Sequence, residues 1–95
     1  MGKPKYCVYA LCCPDDGTVM YVGQSKRVKD RFSRHILDAK NKRYPNNPKD
    51  LWIASLLDNN KKPTIEIIEE CKKDSILIRE KFWIGAAVMG NYHIY

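Results

Sequence analysis

Five side chains in this sequence have the types and spacing to do chemistry: Tyr9, Tyr21, Arg31, His35 and Glu80. Arg31 carries fixed N–H donors matched to phosphate oxygens and keeps its charge at any working pH. Its competing reading is an exposed helix arginine, the commoner fate of that residue. His35, one helical turn on, has a ring that titrates near neutrality and can position or deprotonate a nucleophile; a satisfied structural histidine is the alternative. Tyr9 and Tyr21 would be core aromatics in most sheets, yet a buried phenol needs a polar partner. In a site that grips and cuts a phosphodiester, a phenol can hold the attacking water or relay its proton. With an ordinary pKa of about 10, it needs nearby cations for that task.

Glu80 breaks a pattern. At roughly 100° per residue it falls in the sector shared by Ile76, Trp83, Ile84 and Ala87. A carboxylate inside an apolar stripe marks a candidate functional position. Its oxygens suit one hard divalent cation, Mg²⁺ or Mn²⁺; a salt bridge to a lysine or to Arg31 is the competing reading.

The elements that must position these groups are legible in outline. Tyr6 to Cys13 and Thr18 to Gly23 carry strand-like residues around Pro14-Asp15-Asp16-Gly17, a hairpin signal. A three-residue loop, Asp15-Asp16-Gly17, predicts Tyr9 opposite Gly23 and Leu11 opposite Tyr21, with Gly17 left-handed. Both tyrosines then share one face as diagonal neighbours, facing a common solvent-reachable groove with Arg31, His35 and Glu80. Ser25 can cap a helix from about Lys26 to Ala39, with Val28, Phe32, Ile36 and Ala39 as its buried stripe. Asn47-Pro48-Lys49-Asp50 is a helix start, cap then proline, followed by the apolar face Trp52, Ile53, Leu56 and Leu57. Thr64 to Glu70 reads as a third strand, with Ile65 and either Ile67 or Ile68 packing inward. Asp74 or Ser75 caps a last helix to about Met89, closed by Gly90. The expected class is α/β of the α+β kind: a small three-stranded antiparallel sheet flanked by helices, in the order β-β-α-α-β-α.

Ninety-five residues, 44% hydrophobic and 29% charged, predict one small domain spanning 1–95. No apolar run approaches the roughly 20 residues of a membrane span, and no signal peptide is read. The four cysteines lack zinc spacing and read as free thiols, which predicts a reducing, cytoplasmic location. A formal charge of +6, with basic clusters at Lys26–Arg34 and Lys40–Lys49, favours a polyanionic partner. Lys26, Arg27, Arg34, Lys42 and Arg43 are candidate phosphate contacts that position without reading sequence; solvated lysine-rich faces are the alternative.

In this order, Cys7-Val8-Tyr9, Tyr21-Val22-Gly23-Gln24-Ser25, Arg31, His35 and Arg79-Glu80-Lys81-Phe82-Trp83-Ile84 resemble the GIY-YIG nuclease superfamily, from about Tyr6 to Asn91. Cys7 stands where the first tripeptide has glycine, and Val8 and Val22 where the two tripeptides have isoleucine. The resemblance implies a metal-dependent endonuclease hydrolysing DNA, with RNA a substrate the same chemistry serves. It implies Glu80 as ligand of a single ion and Tyr9 as general base or water-orienting group, with Tyr21 supporting. It further implies a role for Asn91 near the site and backbone contacts from Gln24 and Ser25. Specificity is then expected from an additional DNA-binding domain or a homo-oligomer. The rival reading is a non-catalytic nucleic-acid-binding or adaptor module using the same basic face.

Overall fold

The structure, a computed structural model, describes residues 5–89. Six elements follow in the expected order: β1 (Tyr6–Cys12), β2 (Val19–Ser25), α1 (Val28–Lys40), α2 (Pro48–Asp58), β3 (Thr64–Cys71) and α3 (Ile76–Met89). The three strands form one antiparallel sheet in the order β2-β1-β3. The sheet is covered on both sides, so its central strand is apolar on both faces. Val8 and Val22 face α3, packing with Ile76, Ala87, Trp83 and Ile84. Tyr9 and Leu11 face the other way, onto Ala39 and Phe32 of α1 and Ile53 of α2.

The register that unites the tyrosines is present: Tyr9 pairs with Gly23 and Leu11 with Tyr21. The loop that produces it differs from expectation. Cys13 N–H donates to the Thr18 carbonyl, so the turn spans four residues, Pro14 to Gly17. The pairing then shifts between Leu11 and Cys12, which faces Val19, and this bulge returns the strand to the expected register. Gly17 takes the left-handed conformation, φ +76°.

Strand β2 also runs past Gly23 to Ser25. Ser25 is therefore not the cap of α1; its Oγ accepts from the Arg27 N–H, and the helix begins at Val28. At α2 the cap is as expected, the Asn47 side chain accepting from Asp50 N–H with Pro48 at the first position. On β3, Ile65 packs towards α1 and α2 and Ile68 towards α3, while Ile67 is 54% exposed. A register shift between Val8 and Tyr9 inserts Ile68 opposite no residue and lets the strand serve both faces. Among the described residues the cysteines are free, and no helix is long and apolar enough to cross a membrane.

Candidate active site

Tyr9, Tyr21 and His35 form a cluster in which each ring meets the other two. Ring centroids lie 6.3 Å apart for the two tyrosines, 6.0 Å for Tyr9 and His35, and 5.3 Å for Tyr21 and His35. The cluster exists because Gly23 has no side chain: a Cβ there would lie 2.7 Å from the Tyr9 oxygen and 2.8 Å from carbons of both tyrosines. A glycine inside a strand signals such a close approach. That signal was present in the sequence and is the one that could have singled out Gly23.

Tyr9 is 0% exposed, so its phenol does not reach solvent as the sequence predicted. The physical reason is packing on three sides, by Gly23, His35 and Arg31. Its oxygen lies 2.7 Å from His35 Nε2. Burial, and then the neighbouring Tyr21, push its pKa up to about 12, against the opposing hydrogen bond and charge of Arg31; Glu80 is close enough to raise it further. Arg31 is exposed at its outer side and lies against both phenols. Burial works against its charge, but the hydrogen bonds and negative ends of Tyr9 and Tyr21 outweigh this and raise the guanidinium pKa.

His35 is only 2% exposed and both of its ring nitrogens are engaged, Nε2 with Tyr9 and Nδ1 with Lys49 Nζ at 2.9 Å. Burial first, then the charges of Lys49 and Arg31, pull its pKa down to about 4 against the opposing Asp38. A buried ring with both nitrogens occupied offers no free nitrogen to a water. Of the two roles the sequence left open, the geometry favours positioning.

Tyr21, Arg31 and His35 line one side of a groove of about 390 Å³, which Asp38, Tyr44, Asn47, Pro48 and Lys49 complete. Lys49 is the residue that sequence reading passed over. It sits in a helix-start motif that needs no side-chain chemistry to be explained, and only the docking of α2 on α1 brings it to His35. Its Nζ also lies over the Tyr21 ring, 5.3 Å from the centroid.

Glu80 is half-buried on α3, whose rotation is set one residue earlier. Arg79 pairs with both carboxylate oxygens of Glu69 on β3, Nε at 2.9 and 3.0 Å, and Trp83 Nε1 donates to the same carboxylate at 2.9 Å. Glu80 makes no hydrogen bond or ion pair among the described residues, so the salt bridge weighed against the metal reading is not formed there. A carboxylate of this kind is the group that would hold a hard cation here. No group of three or more His, Cys, Asp or Glu able to hold a metal occurs among the described residues.

The remaining candidates are more dispersed. Gln24 and Ser25 continue β2 opposite Val8 and Cys7, and so face opposite sides of the sheet. Lys26 and Arg27 are exposed on the link to α1. Arg34 pairs with Asp38, Nε to Oδ1 at 3.3 Å. Arg43 stacks over Tyr44 at the groove rim, 5.7 Å from the ring centroid, whereas Lys42 flanks a separate apolar depression with Ala39, Pro45 and Leu51. Asn91 lies outside the described residues.

Comparison with curated proteins and with solved structures returned no match. The family model of the GIY-YIG catalytic domain, however, matches residues 5–88, the span that builds the sheet, the tyrosine pair, Arg31, His35 and Glu80. The chain belongs to the GIY-YIG nuclease superfamily.

Proposed function

We propose that the domain cuts DNA by in-line attack of water on a phosphodiester, with Glu80 holding one Mg²⁺. The observation that carries this reading is the placement of Arg31 on the groove wall beside Tyr21, with its guanidinium against the buried phenol of Tyr9. Arg31 takes a non-bridging phosphate oxygen in its planar fork and stabilises the charge that grows there in the transition state. Because the guanidinium covers Tyr9, a phosphate that recruits it outward uncovers the phenol beside the phosphorus. Tyr9 orients the attacking water, whose proton leaves to the solvent of the groove as the leaving oxygen takes one up. Tyr21, already at the groove surface, contacts the water or the scissile phosphate. The metal, when bound, supplies positive charge to the leaving oxygen. The exposed Lys26, Arg27 and Arg43 contact the phosphate backbone.

The direct test incubates the protein with supercoiled plasmid, linear duplex, branched DNA and single-stranded RNA, with Mg²⁺, with Mn²⁺ and with chelator. Nicking of DNA that requires metal and disappears in Glu80→Gln is the expected result. Cleavage undiminished by chelator refutes the metal assignment. Tight binding to DNA with no cleavage under any condition favours the adaptor reading.

A further inference from the structure

The start of α2 holds a buried charge that the proposed reaction leaves unused. Asp50 is 3% exposed, and neither carboxylate oxygen has a hydrogen-bond partner among the described residues. An acidic residue at the third position of a helix commonly reaches back to the N–H of its cap residue. Here that N–H, on Asn47, donates to the Tyr44 carbonyl instead, so capping does not explain the carboxylate. Its nearest cation is Lys49, with Nζ 3.1 Å from Oδ1, an ion pair by distance whose angle does not make a hydrogen bond. Lys49, with a side chain 14% exposed, directs the same ammonium to His35 Nδ1 at 2.9 Å, and His35 Nε2 meets the Tyr9 oxygen at 2.7 Å. Four residues thus stand in line, from a buried carboxylate to the phenol of the site.

We infer that Lys49, held by Asp50, is a positioning residue that locks the tautomer of His35 and thereby the direction of the hydrogen bond to Tyr9. An ammonium has three donors and no acceptor, so Nδ1 must accept from it. A neutral ring then carries its hydrogen on Nε2, and Nε2 donates to the Tyr9 oxygen. With that oxygen accepting from His35 and contacted by Arg31, the phenol's own hydrogen is left to point at the groove. The opposite tautomer would draw that hydrogen towards His35 and turn the phenol away from its substrate. The depressed pKa of His35 agrees with a ring kept neutral by burial first and then by the adjacent ammonium. The buried carboxylate in turn keeps Lys49 aimed inward, where it would otherwise extend into the groove.

The consequence for turnover rests on the nuclease reading; the tautomer does not, and can be measured without substrate. In a His93→Gln background His35 supplies the only imidazole signals, and long-range ¹H–¹⁵N correlation shows which ring nitrogen bears the hydrogen. Hydrogen on Nε2 in the protein with Lys49 intact is the expected result, and hydrogen on Nδ1 overturns the inference outright. Lys49→Met keeps the aliphatic stem, and thermal melting checks that it folds. It should lose the Nε2–H preference and lower kcat by about 10- to 100-fold, the scale for losing a partner that orients an imidazole, with KM little changed. Lys49→Arg, also donor-only, should restore the tautomer and much of kcat. An unchanged tautomer in Lys49→Met, with weaker DNA binding and a salt slope reduced by about one unit, would make Lys49 a phosphate contact and refute the lock.

Discussion

Replacing Gly23 with alanine should disable the site while leaving the strand intact. The backbone there is not left-handed, so the effect is steric. The added carbon would lie 2.8 Å from Tyr9 Cζ and from Tyr21 Cε2, and 2.7 Å from the Tyr9 oxygen. Carbons pack at about 3.5–4.0 Å, so the two rings must each draw back from it by roughly 0.7–1.2 Å. Tyr9 has nowhere to go: it is enclosed by the core and its oxygen is held by His35. Overpacking of this kind costs about 1–3 kcal/mol, and each kcal/mol lowers Tm by about 4–8 °C in a domain of this size. A displacement near 1 Å at a reacting group costs about 10²-fold in rate. Single-turnover nicking of supercoiled DNA, run beside a thermal melt and a DNA-binding titration, separates these effects. The rate should fall about 10²-fold, Tm by about 4–24 °C and affinity little. A Gly23→Ala protein with wild-type rate and Tm would show that the tyrosine pair has slack, and the close-packing argument would fail.

Arg31→Ala should lower turnover by about 10²-fold or more, and Arg31→Lys should recover little because it lacks the planar fork; full recovery in the same assay would mean that only charge matters. Tyr9→Phe keeps the ring but strands the buried His35 Nε2, at a cost of about 1–3 kcal/mol, and should reduce the rate by about 10²-fold, the scale for a misplaced reactant; a fully active variant would remove Tyr9 from the mechanism. The His35 pKa falls on folding from 6.5 to about 4, so in that window the unfolded chain binds the extra proton. The stability contributed by the neutral ring is therefore whole above pH 6.5 and is lost as pH falls towards about 4, on the order of 3 kcal/mol in all. Urea melts across that range should show a shallower pH dependence for His35→Gln, and equal slopes would refute the buried neutral ring.

Periodicity and punctuation determined most of the architecture without tertiary information. The alternation around Pro14–Gly17, the Asn47-Pro48 cap and the stripe through Ile76, Trp83, Ile84 and Ala87 are local signals that act within one turn or one hairpin. They sufficed for the element order, for the pairing of Tyr9 with Gly23, and for the half-buried setting of Glu80. The hairpin also shows their limit, since a turn one residue longer and a compensating bulge reach the same register. Local patterns do not encode that compensation; hydrogen bonding across the sheet does.

Residue type was likewise enough to nominate the chemistry, because guanidinium, phenol, imidazole and carboxylate have fixed donors and acceptors wherever they fall. What each group contributes depended on contacts between elements distant in the chain. Only the close approach across β1 and β2 shows why Gly23 must be glycine. Burial of Tyr9 beneath Arg31 makes it a covered phenol with a raised pKa where the sequence predicted an open one. Docking of the α2 N-terminus against α1 occupies the second nitrogen of His35 with Lys49, fourteen residues away in sequence. No periodicity within α1 or α2 carries that contact. Desolvation and partner geometry set the roles of these groups, and both are properties of the packed molecule.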